Sequence, residues 1–262
     1  MENISDNFVV WVGYFFLMVL RISAIFIVSP VFGRKNLPNI AKIGLSILIA
    51  YISISVFPPD NSQNYNNIAQ YVLTCIKELS LGLIIGMITT LFFATVHTAG
   101  QLIDMEIGFG FSQVFEVQSN SQVPITGSLM QAVLLICFFL ADGHLLLIRL
   151  ISDTFRVIPV GQVVIRPQIV SIFTEIFITT FVMSLKIAMP ILAASLLTEV
   201  MLGIMMRAIP QMNFFVVGIP IKLIMGLIIL LMFISVFVHA SNSIFENMMD
   251  AIKRIFEGMV PQ

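Results

Sequence analysis

Charge is what this sequence has least of. Of its 262 residues only 10% are Asp, Glu, Lys or Arg, against about 25% in a soluble globular domain. Hydrophobic residues make up 58%, and mean hydropathy is +1.03. A surface with so few charges cannot stay in water, so the chain is an integral membrane protein. The formal net charge of −1 and a pI near 6.3 provide no basic field for nucleic acid. Cysteine is scarce too: Cys75 and Cys137 stand far apart in or beside apolar segments. They read as small buried hydrophobes, not as a disulfide or redox pair.

Catalytic patterns are also missing. The three histidines, His97, His144 and His239, are scattered, with no H-E-x-x-H, G-x-S-x-G or P-loop around them. Asp142-Gly143-His144 reads as a helix-end turn, since no nucleophile motif accompanies it. Asp104 and Glu106 are two apart and fall on different helix faces, against paired-carboxylate chemistry. No catalysis, cofactor or metal is predicted. The opening MENISDN carries two acids and no Lys or Arg, unlike a cleavable signal with its positive n-region. The first apolar segment is therefore expected to remain in the chain.

Long apolar runs fill the space that charge leaves. A helix needs roughly 20 apolar residues to cross a bilayer core. Segments of that kind run from about Phe8 to Phe32, from Asn39 to Phe57, and from Ile68 towards Glu106. Ile125 to Ala141 is uncharged, and the helix is expected to continue to about Phe155. Another segment runs from Gln168 to Met206 with a kink or break at Pro190, and a last one from Leu223 to Phe245. In the tail, Ile244, Phe245, Met248, Met249, Ile252, Ile255 and Phe256 share one helical stripe. Ser243 and Glu246 resemble a capping box, which predicts a separate amphipathic helix on a membrane surface or on a partner.

Eight charges interrupt the apolar pattern: Arg21, Lys77, Glu78, Glu175, Lys186, Glu199, Arg207 and Lys222. An ionised group at mid-bilayer costs at least ~2.5–3.5 kcal/mol, so each needs a partner, water or an interface. Such charges also suit a small-solute transporter, but LGLII (81–85) and LGIMM (202–206) are the only echo of a repeat. The positive-inside rule fits the first half of the chain and fails in the second, where Arg149, Arg156, Arg166, Lys253 and Arg254 fall outside. Either one segment is re-entrant or the chain is not a set of simple spans.

GFGFSQVFEVQSNSQVP (108–124) places Phe109, Phe111 and Phe115 in an otherwise polar loop between two apolar segments. LGIMMRAIPQMNFFVVGIPIKLIMGL (202–227) is more specific. It resembles the LGLLxRxxPQxNxFxxGxPxKxxxGL stretch of the R component of the flagellar type III export gate, the FliR family, which has injectisome relatives. The matching positions are Leu202, Gly203, Arg207, Pro210, Gln211, Asn213, Phe215, Gly218, Pro220, Lys222, Gly226 and Leu227. Residues 142–161 look like the family's GHxxLIxxLxxSFxxxPxG segment through Gly143, His144, Leu147, Ile148, Phe155, Pro159 and Gly161. Residues 188–190, Ala-Met-Pro, match a family Ala-x-Pro, and 100–115 look like the glycine-rich approach to its central loop. Where the family often has Asp-Pro in that loop, this chain has Glu116-Val117, which implies a different local backbone shape.

The resemblance implies an all-α integral membrane protein of about six long, partly kinked apolar helices or hairpins, forming a single export-gate domain over 1–262. Its parts would be an N-terminal hairpin (8–57), a long helix (68–106), a central plug loop (107–123), helices kinked near 190 (124–206), and a C-terminal helix with an amphipathic tail (207–262). It further implies a non-enzymatic role in the bacterial inner membrane at the flagellar basal body. The implied partners are the P and Q components (FliP, FliQ), the switch component FlhB, the export component FlhA, unfolded substrates in transit and membrane lipid. Phe109, Phe111 and Phe115 would form a hydrophobic pore plug that gates by excluding water, with Gly108 and Gly110 allowing the bend. The alternative is that these phenylalanines pack on neighbouring helices. Gly143, His144, Pro190, Arg207, Pro210, Gln211, Asn213, Gly218, Pro220 and Lys222 would serve structure or assembly. Pro210 and Pro220 would bracket an unwound stretch whose backbone Gln211 and Asn213 satisfy.

Overall fold

A computed structural model of the chain describes residues 2–33, 38–59, 67–109, 124–209 and 214–259. Among these residues every regular element is helical, as the apolar runs predict. In chain order they are α1 (Glu2–Val28), α2 (Asn39–Val56), α3 (Ile68–Ile107), α4 (Ile125–Leu140), α5 (Gly143–Val157), α6 (Gln168–Ala208), a π-helical turn (Phe214–Gly218) and α7 (Ile219–Met259). Five of them, α1, α2, α3, α6 and α7, are long and apolar enough to cross a membrane, or six spans if α4 and α5 count as one broken span.

Proline sets several boundaries. Pro38 and Pro124 stand as N-caps of α2 and α4, and their carbonyls accept the N–H groups of Ala41 and Lys42 in α2 and of Ser128 in α4. Phe57 ends α2 just before Pro58-Pro59, where the residue preceding a proline is pushed out of helical geometry. The predicted continuity from Ile125 to Phe155 fails at Asp142. This residue adopts a left-handed backbone (φ 53°) between α4 and α5. The Asp142-Gly143-His144 stretch is thus a helix-end turn. At Pro190 the helix is not broken: α6 runs through it. The ring removes the N–H that the Lys186 carbonyl would accept and crowds that carbonyl.

The chain divides into two compact units. The first comprises 1–91, 142–176 and 247–262, and its buried side chains include Leu17, Met18, Ile22, Phe26, Leu81, Ile85, Ile151 and Phe155. The second comprises 92–141 and 177–246, with Phe93, Val96, Ile103, Phe138, Ile191 and Phe237 buried. There Phe138 meets Phe93 and Phe245 edge-on at centroid separations of 5.6 and 5.4 Å. α3 contributes to both units and is the most deeply buried of the long helices, with 56% of its apolar window covered against 22% for α2 and α7.

The tail corrects a prediction. No helix starts at Ser243, because α7 continues unbroken to Met259, so Ser243 and Glu246 do not form a capping box. The apolar stripe at Ile244, Met248, Ile252 and Ile255 is buried by the chain itself instead of being offered to a membrane surface. Arg254 on the opposite side pairs with Glu175 at 2.9 Å. That pair answers the need for a partner which Glu175 carried in the sequence.

Candidate functional site

Two polar clusters bring together residues distant in sequence. In the first unit Arg21 of α1 and Glu78 of α3 are both fully buried and joined at 2.6 Å from Nε to Oε2. Arg21 Nη1 also donates to the Thr154 carbonyl and hydroxyl and to the Ile158 carbonyl. Its guanidinium lies 4.6 Å from the centroid of the Phe155 ring. Glu78 Oε1 accepts the Gly161 N–H at 2.7 Å. Gly161 is the residue that can supply this amide, because its φ of 87° disfavours any side chain. One ion pair therefore fixes α1, α3, α5 and the turn after α5. A planar guanidinium with several donors suits that work better than an ammonium. Among the described residues Arg21 Nη2 has no hydrogen-bond partner.

The second cluster surrounds the base of the central loop. At its entrance, Gly108 closes α3 in a left-handed conformation (φ 102°) and donates to the Asp104 carbonyl. At its exit, Pro124 begins α4 but has no side-chain acceptor for the exposed N–H groups of the first turn. Asp104 supplies one from α3: both carboxylate oxygens lie 3.1 Å from the Thr126 amide. This is a helix cap delivered from another helix, and the carboxylate also complements the positive end of α4. The approach requires two glycines in register. A Cβ on Gly100 would fall 2.1 Å from the Gly127 Cα.

Two further elements hold the entrance, at the end of α3. Ser195 of α6 donates to the Glu106 carbonyl at 3.3 Å. Lys222 of α7 forms an ion pair with Glu199 of α6, and its Nζ is 3.9 Å from Glu106 Oε1. Gly226 of α7 sits directly on Ile107, leaving no room for a Cβ. The end of α3 is thus held by α4, α6 and α7, while Lys222 and Glu106 retain partial exposure. Among the described residues no three His, Cys, Asp or Glu gather as a metal ion would require.

The residues singled out in the sequence are placed unevenly. Gly108 is buried, Phe109 is half-buried, and Lys222 joins the cluster just described. Gly110, Phe111, Phe115, Pro210, Gln211 and Asn213 lie outside the described residues. Gly143 is buried and His144 half-buried at the start of α5. Pro190 and Arg207 are exposed on α6. Gly218 ends the π-helical turn and Pro220 is the second residue of α7. A wound π turn therefore occupies part of the stretch predicted to be unwound. Asp104, Thr126, Ser195 and the Gly100–Gly127 contact were not singled out. Their signal was present: Gly100 and Asp104 are four apart on one face of a helix, and a proline that cannot cap precedes Ile125-Thr126-Gly127.

Long apolar helices and few charges, with Arg21, Glu78, Glu175, Glu199 and Lys222 of the apolar segments ion-paired within the chain: this is a polytopic all-α membrane protein. A model of the family described as bacterial export proteins, family 1, matches residues 12–248, and the chain belongs to that family. The resemblance to the FliR family read from the motifs is thereby borne out. The chain is 29% identical over 258 residues to the flagellar biosynthetic protein FliR of Bacillus subtilis (strain 168), covering 97% of each. It is 26% identical to the FliR of Escherichia coli (strain K12), covering 96% of this chain and 97% of the other. A Yersinia pestis protein named Yop proteins translocation protein T is 26% identical over 232 residues, 87% of this chain and 88% of that one.

Proposed function

We propose that this chain is a non-enzymatic subunit of the flagellar type III protein export gate in the bacterial inner membrane. In this reading it helps to form and seal a channel for unfolded flagellar substrates, and 1–262 works as one export-gate domain. The observation that carries the proposal is the near end-to-end match to proteins named for flagellar biosynthesis. P and Q components are the proposed immediate partners, with FlhB and FlhA beside them.

The central loop is the proposed seal, with Phe109, Phe111 and Phe115 as a hydrophobic constriction. Support comes from the way both ends of the loop are secured. A plug that blocks ions needs a base that does not drift, and Asp104, Gly100–Gly127, Ser195 and Lys222 supply one. Gly143, His144, Pro190, Arg207, Pro210, Gln211, Asn213, Gly218 and Pro220 are proposed to serve assembly or local structure. A small-solute transporter is less well supported, because Arg21, Glu78, Glu175, Glu199 and Lys222 are committed to ion pairs within the chain. Native mass spectrometry of the chain co-expressed with P and Q components tests the reading. One discrete complex with a single copy of this chain is expected, and a homo-oligomer indifferent to both partners would overturn it. In that complex, Phe109→Ala with Phe111→Ala should raise ion conductance; unchanged conductance would sink the plug.

A further inference from the structure

Lys222 of α7 stands between two carboxylates and holds the one that water can reach. Its Nζ is bonded to Glu199 Oε1, whose side chain is 46% exposed. Glu106 Oε1 lies 3.9 Å from the same Nζ. That oxygen is buried and has no hydrogen-bond partner among the described residues. The pairing is energetically inverted. Water can solvate Glu199 when its cation leaves, whereas a buried carboxylate oxygen without a donor keeps the full cost of desolvation.

The backbones around the three charges are already fixed. Ser195, one turn before Glu199 on α6, donates to the Glu106 carbonyl. Gly226, one turn after Lys222 on α7, lies against Ile107, where a Cβ would fall 2.5 Å from Cγ2. α6 and α7 thus both touch the last turn of α3 beside these charges. A charge-assisted hydrogen bond spans about 2.7–2.9 Å, so Lys222 Nζ has only about 1 Å to advance to reach Glu106. Its flexible four-carbon stem can do this by a rotamer change, with no helix displaced. We infer that Lys222 is a two-position latch. On Glu199, as here, it ties α7 to α6. On Glu106 it ties α7 to the end of α3 and secures the foot of the central loop. Either carboxylate alone neutralises an ammonium that is only 14% exposed. The positions therefore replace each other in stability and differ in what they hold. The effect on the loop rests on the export-gate reading; the two positions themselves do not.

Thermal unfolding of the full chain in detergent tests the latch without any partner. Glu106→Gln and Glu199→Gln should each lower the midpoint by only about 1 °C, since the other carboxylate remains. The double variant strands the ammonium, and its midpoint should fall by about 5 °C or more, well beyond the sum. A static Lys222–Glu199 pair predicts instead that Glu199→Gln alone falls as far as the double variant. That result, or simple additivity, overturns the latch. The loop is read by basal ion conductance of the complex assembled with P and Q components. Glu199→Gln, which leaves Lys222 only Glu106, should lower conductance about twofold, and Glu106→Gln should raise it about twofold. Changes in the same direction, or none, overturn the latch as a control of the loop. If the parent chain forms no complex with either component, the export-gate reading falls, and the unfolding series still decides whether Lys222 has two positions.

Discussion

Arg21 and Glu78 in the first unit are sealed from solvent, and each bonds to further backbone groups. In the second unit Lys222 sits between Glu199 and Glu106 with all three partly accessible, beside the buried cap from Asp104. The first arrangement has few degrees of freedom left. Removing either charge would strand the other in a low-dielectric interior. The second lies at the foot of a loop, and its members can exchange partners at modest cost. The contrast teaches that burial separates a charge used to fix a fold from a charge placed where a segment leaves it.

This contrast can be broken by mutation. The largest effect is expected for Glu78→Ala, which leaves the Arg21 guanidinium buried without its counter-charge and should cost about 3–5 kcal/mol. Denaturant unfolding in detergent checks this, and Arg21→Met with Glu78→Leu should recover most of the loss. Next comes Gly100→Ala. Its methyl group cannot coexist with Gly127 at 2.1 Å, so α3 and α4 must part near the loop, at a cost of about 1–3 kcal/mol or more. Asp104→Ala strands the Thr126 amide and should cost about 1–3 kcal/mol, whereas Asp104→Asn keeps an acceptor and should cost less. Basal ion conductance of the assembled complex sharpens the point. Asp104→Ala should raise it at equal yield, and the Met/Leu double variant of the first unit should not. The smallest effect belongs to Lys222→Met. Its pair with Glu199 is part-exposed, so the loss should stay within about 1 kcal/mol in a double-mutant cycle.

Much of the fold was legible because it is written in local features. The second and third helices begin at Asn39 and Ile68 as the apolar runs predict, and Pro58-Pro59 stops α2. What escaped depends on tertiary contact. Pro124 signals that the start of α4 lacks a side-chain cap, but not that Asp104, 22 residues earlier, supplies the acceptor for the Thr126 amide. The Ser243–Glu246 spacing imitates a helix start, but the packed stripe beyond it sustains α7 straight through. The partner of Arg21 could not be chosen from sequence alone. Glu78 becomes its counter-ion because Gly82 lets α3 touch the Arg21 backbone, where any Cβ would meet the Arg21 carbonyl at 2.4 Å. The motif stretch 202–227 pointed to the family through its polar and Gly/Pro positions, although three of them, Pro210, Gln211 and Asn213, lie outside the described residues.

The last turns of α7 have a consequence in time. The first unit draws on residues 1–91 and on 247–262, and Met248, Ile252 and Ile255 at its end are wholly or almost wholly buried. A ribosome adding ~5–20 residues per second needs on the order of ten seconds or more to travel from one stretch to the other. During that interval the earliest-made helices wait in the bilayer with part of their final neighbourhood unmade. Completion of this unit therefore waits for these late-made turns, and the nascent chain depends until then on whatever shields its unfinished surface.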